Sequence, residues 1–106
     1  MKKFIPRSEP PPGVLSVEFS ASRMVWELED GRTISVPLVW YPTLMLATAG
    51  ERTDFFIIHS AVSWPKLDYD LDSAGLLRGA KEAESFALKA WARHARRQRR
   101  KAAPAA

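Results

Sequence analysis

The chain contains no cysteine. Disulfides, thiolate metal centres and thiol catalysis are therefore excluded. It also lacks any apolar run near the ~18 residues of a membrane span. The first residues, Met1-Lys2-Lys3-Phe4-Ile5-Pro6, reach proline before a signal-peptide apolar region can form. The expected location is the cytoplasm, with no membrane contact. There are only two histidines, His59 and His94, too few and too scattered for a histidine metal site. With 106 residues there is room for one modest core, but not for two lobes around a buried cofactor. No cofactor and no metal are expected.

What is present is an ordinary globular balance, 46% hydrophobic and 26% charged residues, with the charge unevenly placed. Residues 81–101 carry Lys81, Lys89, Arg93, Arg96, Arg97, Arg99, Arg100 and Lys101 against Glu82 and Glu84, a net +6, which leaves −2 on the rest of the chain. A basic end on a mildly acidic body suits an acidic partner, and it also suits a solvated helix end.

Four prolines fall in residues 1–13 and close with Pro10-Pro11-Pro12-Gly13, which reads as an arm. Three alternating segments follow. Leu15, Val17 and Phe19 share one face, then Met24, Trp26 and Leu28, then Ile34, Val36 and Leu38. This is the pattern of an antiparallel meander with one buried face. Side-chain parity selects the turn between the second and third strands. A two-residue loop at Asp30-Gly31 would pair Leu28 with Thr33 and send the two apolar rows to opposite faces. A three-residue loop with Gly31 left-handed and a bulge at Gly31-Arg32 pairs Trp26 with Ile34 and Met24 with Val36, so both rows meet the core.

Pro37 ends the third strand or marks an edge. Tyr41-Pro42 opens a short helix, with Leu44, Leu46 and Ala47 apolar and Gly50 as its stop. Residues 51–54 read as polar loop. Phe55-Phe56-Ile57-Ile58 is a continuous apolar run, predicted to be a more fully buried fourth strand, and Ala61-Val62-Ser63-Trp64 extends to Pro65. Asp70 or Asp72 caps a short helix through Leu77, closed by Gly79. From Ala80 the period turns helical, with Ala83, Phe86, Ala87, Ala90, Trp91 and His94 as the docking stripe. No large apolar residue follows His94, so the arginine-rich end should project into solvent. The predicted fold is α+β: an antiparallel sheet of about four strands, two short helices and a basic C-terminal helix. The organisation is a proline-rich arm (1–13), an α+β domain (14–79), a basic amphipathic helix (80–101) and a frayed tail (102–106).

Several constellations bear on function. Asp68, Asp70 and Asp72 form a D-x-D-x-D run, but a calcium loop needs glycine and glutamate where Ser73 and Gly79 stand; helix capping is the simpler role. His59 would be a general base if Asp68 or Asp70 oriented it, yet no serine sits in a nucleophile elbow. Trp40-Tyr41-Pro42 and Trp64-Pro65 are aromatic–proline corners. Trp40, Tyr41, Pro42 and Trp64, together with the sheet edge, are the candidate anchors for a protein partner; the corners also read as wedges that fill a small core and lock chain reversals, the reading favoured for Trp64. Arg93, Arg96, Arg97, Arg99, Arg100 and Lys101 are the candidate phosphate-tracking residues. No base-reading motif accompanies them, so nucleic-acid binding would be weak and nonspecific.

The string D-G-R-T-I-S-V-P-L-V-W-Y-P-T-L (30–44), then A-T (47–48), W-P-K-L-D-Y-D-L (64–71) and G-L-L-R-G (75–79), resembles a small bacterial family, the domain of unknown function 2442 family. The likeness covers roughly residues 14–79. Members often carry histidine directly before the second Trp-Pro, where this chain has Ser63. The resemblance implies a small α+β domain in a small stand-alone protein. Many members are encoded beside a companion domain and are regarded as antitoxin components, and some carry a helix-turn-helix domain after this one. It implies no enzyme activity and no catalytic residue. The expected function is a non-enzymatic protein-binding module, an antitoxin-like partner of a cognate small protein or toxin. The alternative is a nucleic-acid-associated regulator acting through the basic helix.

Overall fold

The computed structural model describes residues 10–102. Within these residues six strands and four helices run in the order β1 (Val14–Phe19), β2 (Arg23–Leu28), β3 (Thr33–Pro37), α1 (Pro42–Met45), α2 (Ala49–Thr53), β4 (Phe56–Ile58), β5 (Ala61–Trp64), β6 (Tyr69–Asp72), α3 (Ser73–Leu77) and α4 (Glu84–Ala102). Single 3-10 turns at Leu38–Trp40 and Pro65–Leu67 follow β3 and β5. No helix among the described residues is long and apolar enough to cross a membrane.

The fold is α+β, with two three-stranded antiparallel sheets in place of the predicted single sheet of about four strands. Their orders are β1-β2-β3 and β4-β5-β6. The split has a local cause. After β4 the chain reverses at His59-Ser60, with His59 at φ 51°, and after β5 it turns again at Asp68, φ 52°. Each turn is built on a left-handed non-glycine residue. The short polar–apolar segment Tyr69-Asp70-Leu71-Asp72 thus becomes a third strand, with Val62 opposite Leu71 and Trp64 opposite Tyr69. The sheets meet where the amide of Val14 donates to the carbonyl of His59 at 2.6 Å.

The turn at Gly31 is as side-chain parity requires. Trp26 lies opposite Ile34 and Met24 opposite Val36. Gly31 has φ 95°, its amide donates to Leu28 O, and Leu28 N donates to Arg32 O, the pattern of a turn closed by a glycine bulge. In β1 the phase differs from expectation. A bulge between Val14 and Ser16 turns Val14 into the core and leaves Leu15 exposed. Only Val17 and Phe19 of the predicted row face inward.

Other boundaries move for reasons visible in hydrogen bonds. Gly50 does not stop a helix; it lies within α2, which Thr48 caps. The Thr48 hydroxyl accepts from Glu51 N while the Glu51 carboxylate accepts from Thr48 N, a reciprocal capping box. β4 is an edge strand with Phe56 and Ile58 exposed, not a fully buried one. Asp72 caps α3 by accepting from Ala74 N at 2.6 Å, whereas Asp70 lies within β6. Of the predicted arm, residues 1–9 lie outside the described residues. Residues 12 and 13 are stitched into the fold: Pro12 O accepts from the Ser73 hydroxyl and Gly13 O from Glu29 N. Of the predicted tail, residues 103–106 lie outside the described residues and Ala102 ends α4.

One core serves both sheets. Val17, Met24, Trp26, Leu28 and Val36 from the first meet Val62, Trp64 and Tyr69 from the second, with Leu38, Tyr41, Leu44, Leu67 and Leu76 from the connections.

Gly31 and Gly50 should respond to a side chain in opposite ways. Gly31→Val forces a branched residue into the left-handed region at a cost of about 1–2 kcal/mol, roughly 4–8 °C of melting temperature per kcal/mol for a domain of this size. Gly50 sits inside a helix with nothing within 4 Å of an added Cβ, so Gly50→Ala should raise stability by up to ~1 kcal/mol. Thermal unfolding of both variants checks this; an unchanged midpoint for Gly31→Val would contradict the turn.

Candidate functional site

The longest element, and one that is largely exposed, is α4, and its seat comes first. The Tyr41 hydroxyl donates to Ala80 O at 2.7 Å, and Glu82 N donates to Trp40 O. The Glu82 carboxylate accepts from Thr43 N at 3.1 Å, from the Thr43 hydroxyl at 2.9 Å and from the Tyr69 hydroxyl at 2.6 Å. The residues that lead into α4 are thus held against α1 and β6. An aromatic row runs to the same place. Phe55, Trp64, Tyr69 and Phe86 follow one another at ring separations of 5.7, 5.8 and 5.7 Å, ending on the first turn of α4.

Farther along, Ala90 is 1% exposed, and Ala87, His94 and Arg97 are half-buried. Arg97 forms a two-pronged pair with Glu51, at 3.2 and 2.6 Å. The helix therefore docks to Arg97, beyond the predicted limit at His94. The pair holds the Glu51 carboxyl below its ordinary range, with the Arg97 hydrogen bonds as the main cause and the Thr48 cap adding to them. Trp91 departs from the predicted docking stripe. It lies ~100° round the helix from Ala90 and is 48% exposed; Phe86 is also more than a third exposed.

The predicted anchors are placed differently from expectation. Tyr41 is 1% and Trp64 0% exposed, so neither is a surface anchor. Tyr41 needs its hydrogen bond to Ala80, and Trp64 Nε1 donates to Arg52 O at 2.9 Å, so both are satisfied only inside. Trp40 and Pro42 are half-buried, and Trp40 lies under Lys81 at 5.1 Å. The corner is the seat of residues 80–82. His59 faces Glu29 at 4.0 Å and pairs with neither Asp68 nor Asp70. The aspartates of the D-x-D-x-D run are a left-handed turn residue, a strand residue and a helix cap. Among the described residues no three His, Asp or Glu side chains gather to hold a metal.

Of the predicted basic set, Arg96, Arg99, Arg100 and Lys101 are exposed and Arg93 half-buried, while Arg97 is consumed by Glu51. The sequence reading missed Glu82, Glu51, Leu88 and Lys66. The T-x-x-E spacing of Thr48 and Glu51 is a legible signal. Glu82 has none, because Thr43 and Tyr69 lie 39 and 13 residues away.

Burial raises both tyrosines, and the Glu82 charge beside them adds to it; Tyr69 is taken far above the ordinary phenol range. A raised acid favours its neutral form in the folded state. Its contribution is full below the unfolded value of about 10 and is lost as pH rises beyond it. These are the chain's two tyrosines, so absorbance at 295 nm should show no tyrosinate in folded protein just above pH 10, and its appearance should coincide with unfolding. A tyrosinate signal near pH 10 with the fold intact would contradict the buried arrangement.

A family model described as a protein of unknown function, DUF2442, matches residues 14–82. No curated protein matches the chain. A solved structure, the crystal structure of a protein of unknown function from Rhodospirillum rubrum, is similar, with a TM-score of 0.61 and 22% identity. The likeness covers 74% of this chain and 99% of that one, and at this identity it speaks for the fold alone. The family match runs from the first strand to the Glu82 clamp and stops before α4 begins at Glu84. That match spans more than half of the chain and takes in both sheets, and this chain belongs to the DUF2442 family of proteins of unknown function.

Proposed function

We propose that the chain is a cytoplasmic, non-enzymatic binding module, an antitoxin-like partner of a cognate small protein, and that the partner is covered by the outer flank of α4. One observation carries this reading. Leu88 and Trp91, one turn apart, are 62% and 48% exposed on a helix already docked by another face. The core has its tryptophans Trp26 and Trp64 fully inside and does not need this one. A large apolar pair in water on a rigid helix is the composition of a partner anchor. Ala95 continues the row at the next turn, and Arg99 supplies a charged rim.

The chemistry elsewhere supports a binding role over catalysis. Glu82 is hydrogen-bonded to Thr43 and Tyr69, and neither histidine meets a carboxylate at hydrogen-bond distance among the described residues. The anchors move from the Trp40-Tyr41-Pro42 corner and Trp64 to the one tryptophan that is half in solvent.

The test is co-expression of a tagged copy with the products of the neighbouring genes, followed by size exclusion. A stable complex is expected, with affinity falling at least tenfold in Trp91→Ala, about 1.4 kcal/mol or more. Neighbours that neither co-purify nor show toxicity relieved by this chain would overturn the reading, as would a complex indifferent to Trp91→Ala and Leu88→Ala.

A further inference from the structure

A second surface lies on the other flank of α4, and it has the opposite chemistry. Lys89, Arg93, Arg96 and Arg100 recur at spacings of four, three and four residues. At ~100° per residue they fall within about 60° of one another. The docking stripe centred on Ala90 lies beside them, and Leu88 and Trp91 lie about 110° and about 170° from the middle of the row. Lys89, Arg96 and Arg100 are exposed and Arg93 half-buried. Among the described residues none of the four is ion-paired; the Lys and Arg pairs that form are Arg32–Asp30, Lys66–Asp54 and Arg97–Glu51.

The ridge has a recessed beginning. A cavity of about 230 Å³ is lined by Lys66, Lys89 and Arg93, with Thr43, Leu67, Asp68 and Phe86 completing the wall. The Lys89 ammonium sits 5.7 Å from the centre of the Phe86 ring, which holds it at the mouth. Lys66 is paired with Asp54 at 3.0 Å, and Asp68 offsets a further charge. The uncompensated charge at the cavity therefore comes from α4 itself.

We propose that this ridge binds the phosphodiester backbone of duplex nucleic acid, with the cavity as its first phosphate seat. Three features favour phosphate over an acidic protein face. The four cations form a row about 16 Å long at ~1.5 Å per residue, and a nucleic-acid strand offers charge in just such a repeating row, one per ~3.4 Å of axis. The flank has no exposed aliphatic or tryptophan anchor such as a protein partner would need; its one aromatic, Phe86, is occupied by Lys89. Three of the four are arginines, whose planar fork suits phosphate oxygens. The set differs from the run of basic residues in the sequence. Arg97 is removed by Glu51, Arg99 lies about 60° beyond Arg96 on the Leu88 side, Lys101 lies on the docking side, and Lys89 joins. All contacts would be to backbone, so binding carries no sequence preference. Because the two flanks lie far apart round the helix, a protein on Trp91 and nucleic acid on the ridge can be bound together.

Fluorescence anisotropy of the full chain with two duplexes of unrelated sequence, over a salt series, tests this. Four phosphate contacts give a log–log slope near −3.6, about a 150-fold weakening between about 50 and about 200 mM salt. The double variant Lys89→Gln/Arg96→Gln should halve the slope, to about a 12-fold weakening over the same range. The off-ridge variant Arg99→Gln/Lys101→Gln removes equal charge and should keep the wild-type slope. Circular dichroism should be unchanged in both, since the altered side chains are exposed. Equal loss in the ridge and off-ridge variants would overturn the ridge. So would a tenfold preference for one duplex, or binding of polyglutamate or anionic vesicles through these residues with no binding of duplex at low salt. None of these outcomes depends on whether Trp91 has a partner.

Discussion

The carboxylate of Glu82 is half-buried where α1, β6 and the approach to α4 converge, and every group around it is committed. It receives an amide and a hydroxyl from Thr43 and a phenol from Tyr69, while its own amide donates to Trp40. A charge removed from water is tolerated only when its lone pairs are filled, and hydrogen bonds to a charged group contribute about 1.5–3 kcal/mol net. The cluster is thus cooperative in a simple sense. If any one donor is removed, the carboxylate is left partly unsatisfied in a place water reaches poorly.

The placement of α4 follows. A basic, alanine-rich helix with one buried residue has little hydrophobic reason to lie against the body. It is held at its root by the Glu82 cluster and the Tyr69–Phe86 ring contact, and near its tip by Arg97 and Glu51. Two fixed points define which faces look outward. One outward flank is apolar at Leu88 and Trp91, and the other is cationic. Glu51 links this arrangement to the chain's local structure, because the same carboxylate completes the cap of α2. Arg52, next to it, turns inward to satisfy the carbonyls of Leu44, Met45 and Ala47. Two adjacent residues therefore serve three helices.

Legibility in the sequence tracks the range of the interaction. The Gly31 hairpin was legible because parity and turn chemistry act over a few residues. A helix cap at Asp70 or Asp72, the α+β class and the basic helix were legible for the same reason. The β1 bulge was not: an inserted residue changes phase without changing composition, so Leu15 still looks like part of an apolar row. β6 was hidden because a four-residue edge strand with two aspartates has no β signature until its partner is known. The aromatic corners looked like surface anchors because tyrosine and tryptophan carry polar handles that suit either side of a surface; the decisive facts are acceptors distant in sequence, Ala80 O for Tyr41 and Arg52 O for Trp64. Trp91 erred the other way. A docking stripe drawn broadly enough to include it leaves no room for the narrow contact that alanine at position 90 permits.

The central claim is that the Glu82 carboxylate is the chief of the contacts that seat α4 on the two-sheet body. Amide hydrogen exchange on the intact chain and on Glu82→Gln measures this directly, element by element. In the wild-type protein, amides from Ala87 to Arg97 should be protected well above the level of an isolated helix. In Glu82→Gln that protection should fall by at least tenfold while β2 and β5 keep theirs. Equal protection of α4 in the two proteins would contradict the account and assign the docking to the aromatic row and the Arg97–Glu51 pair instead.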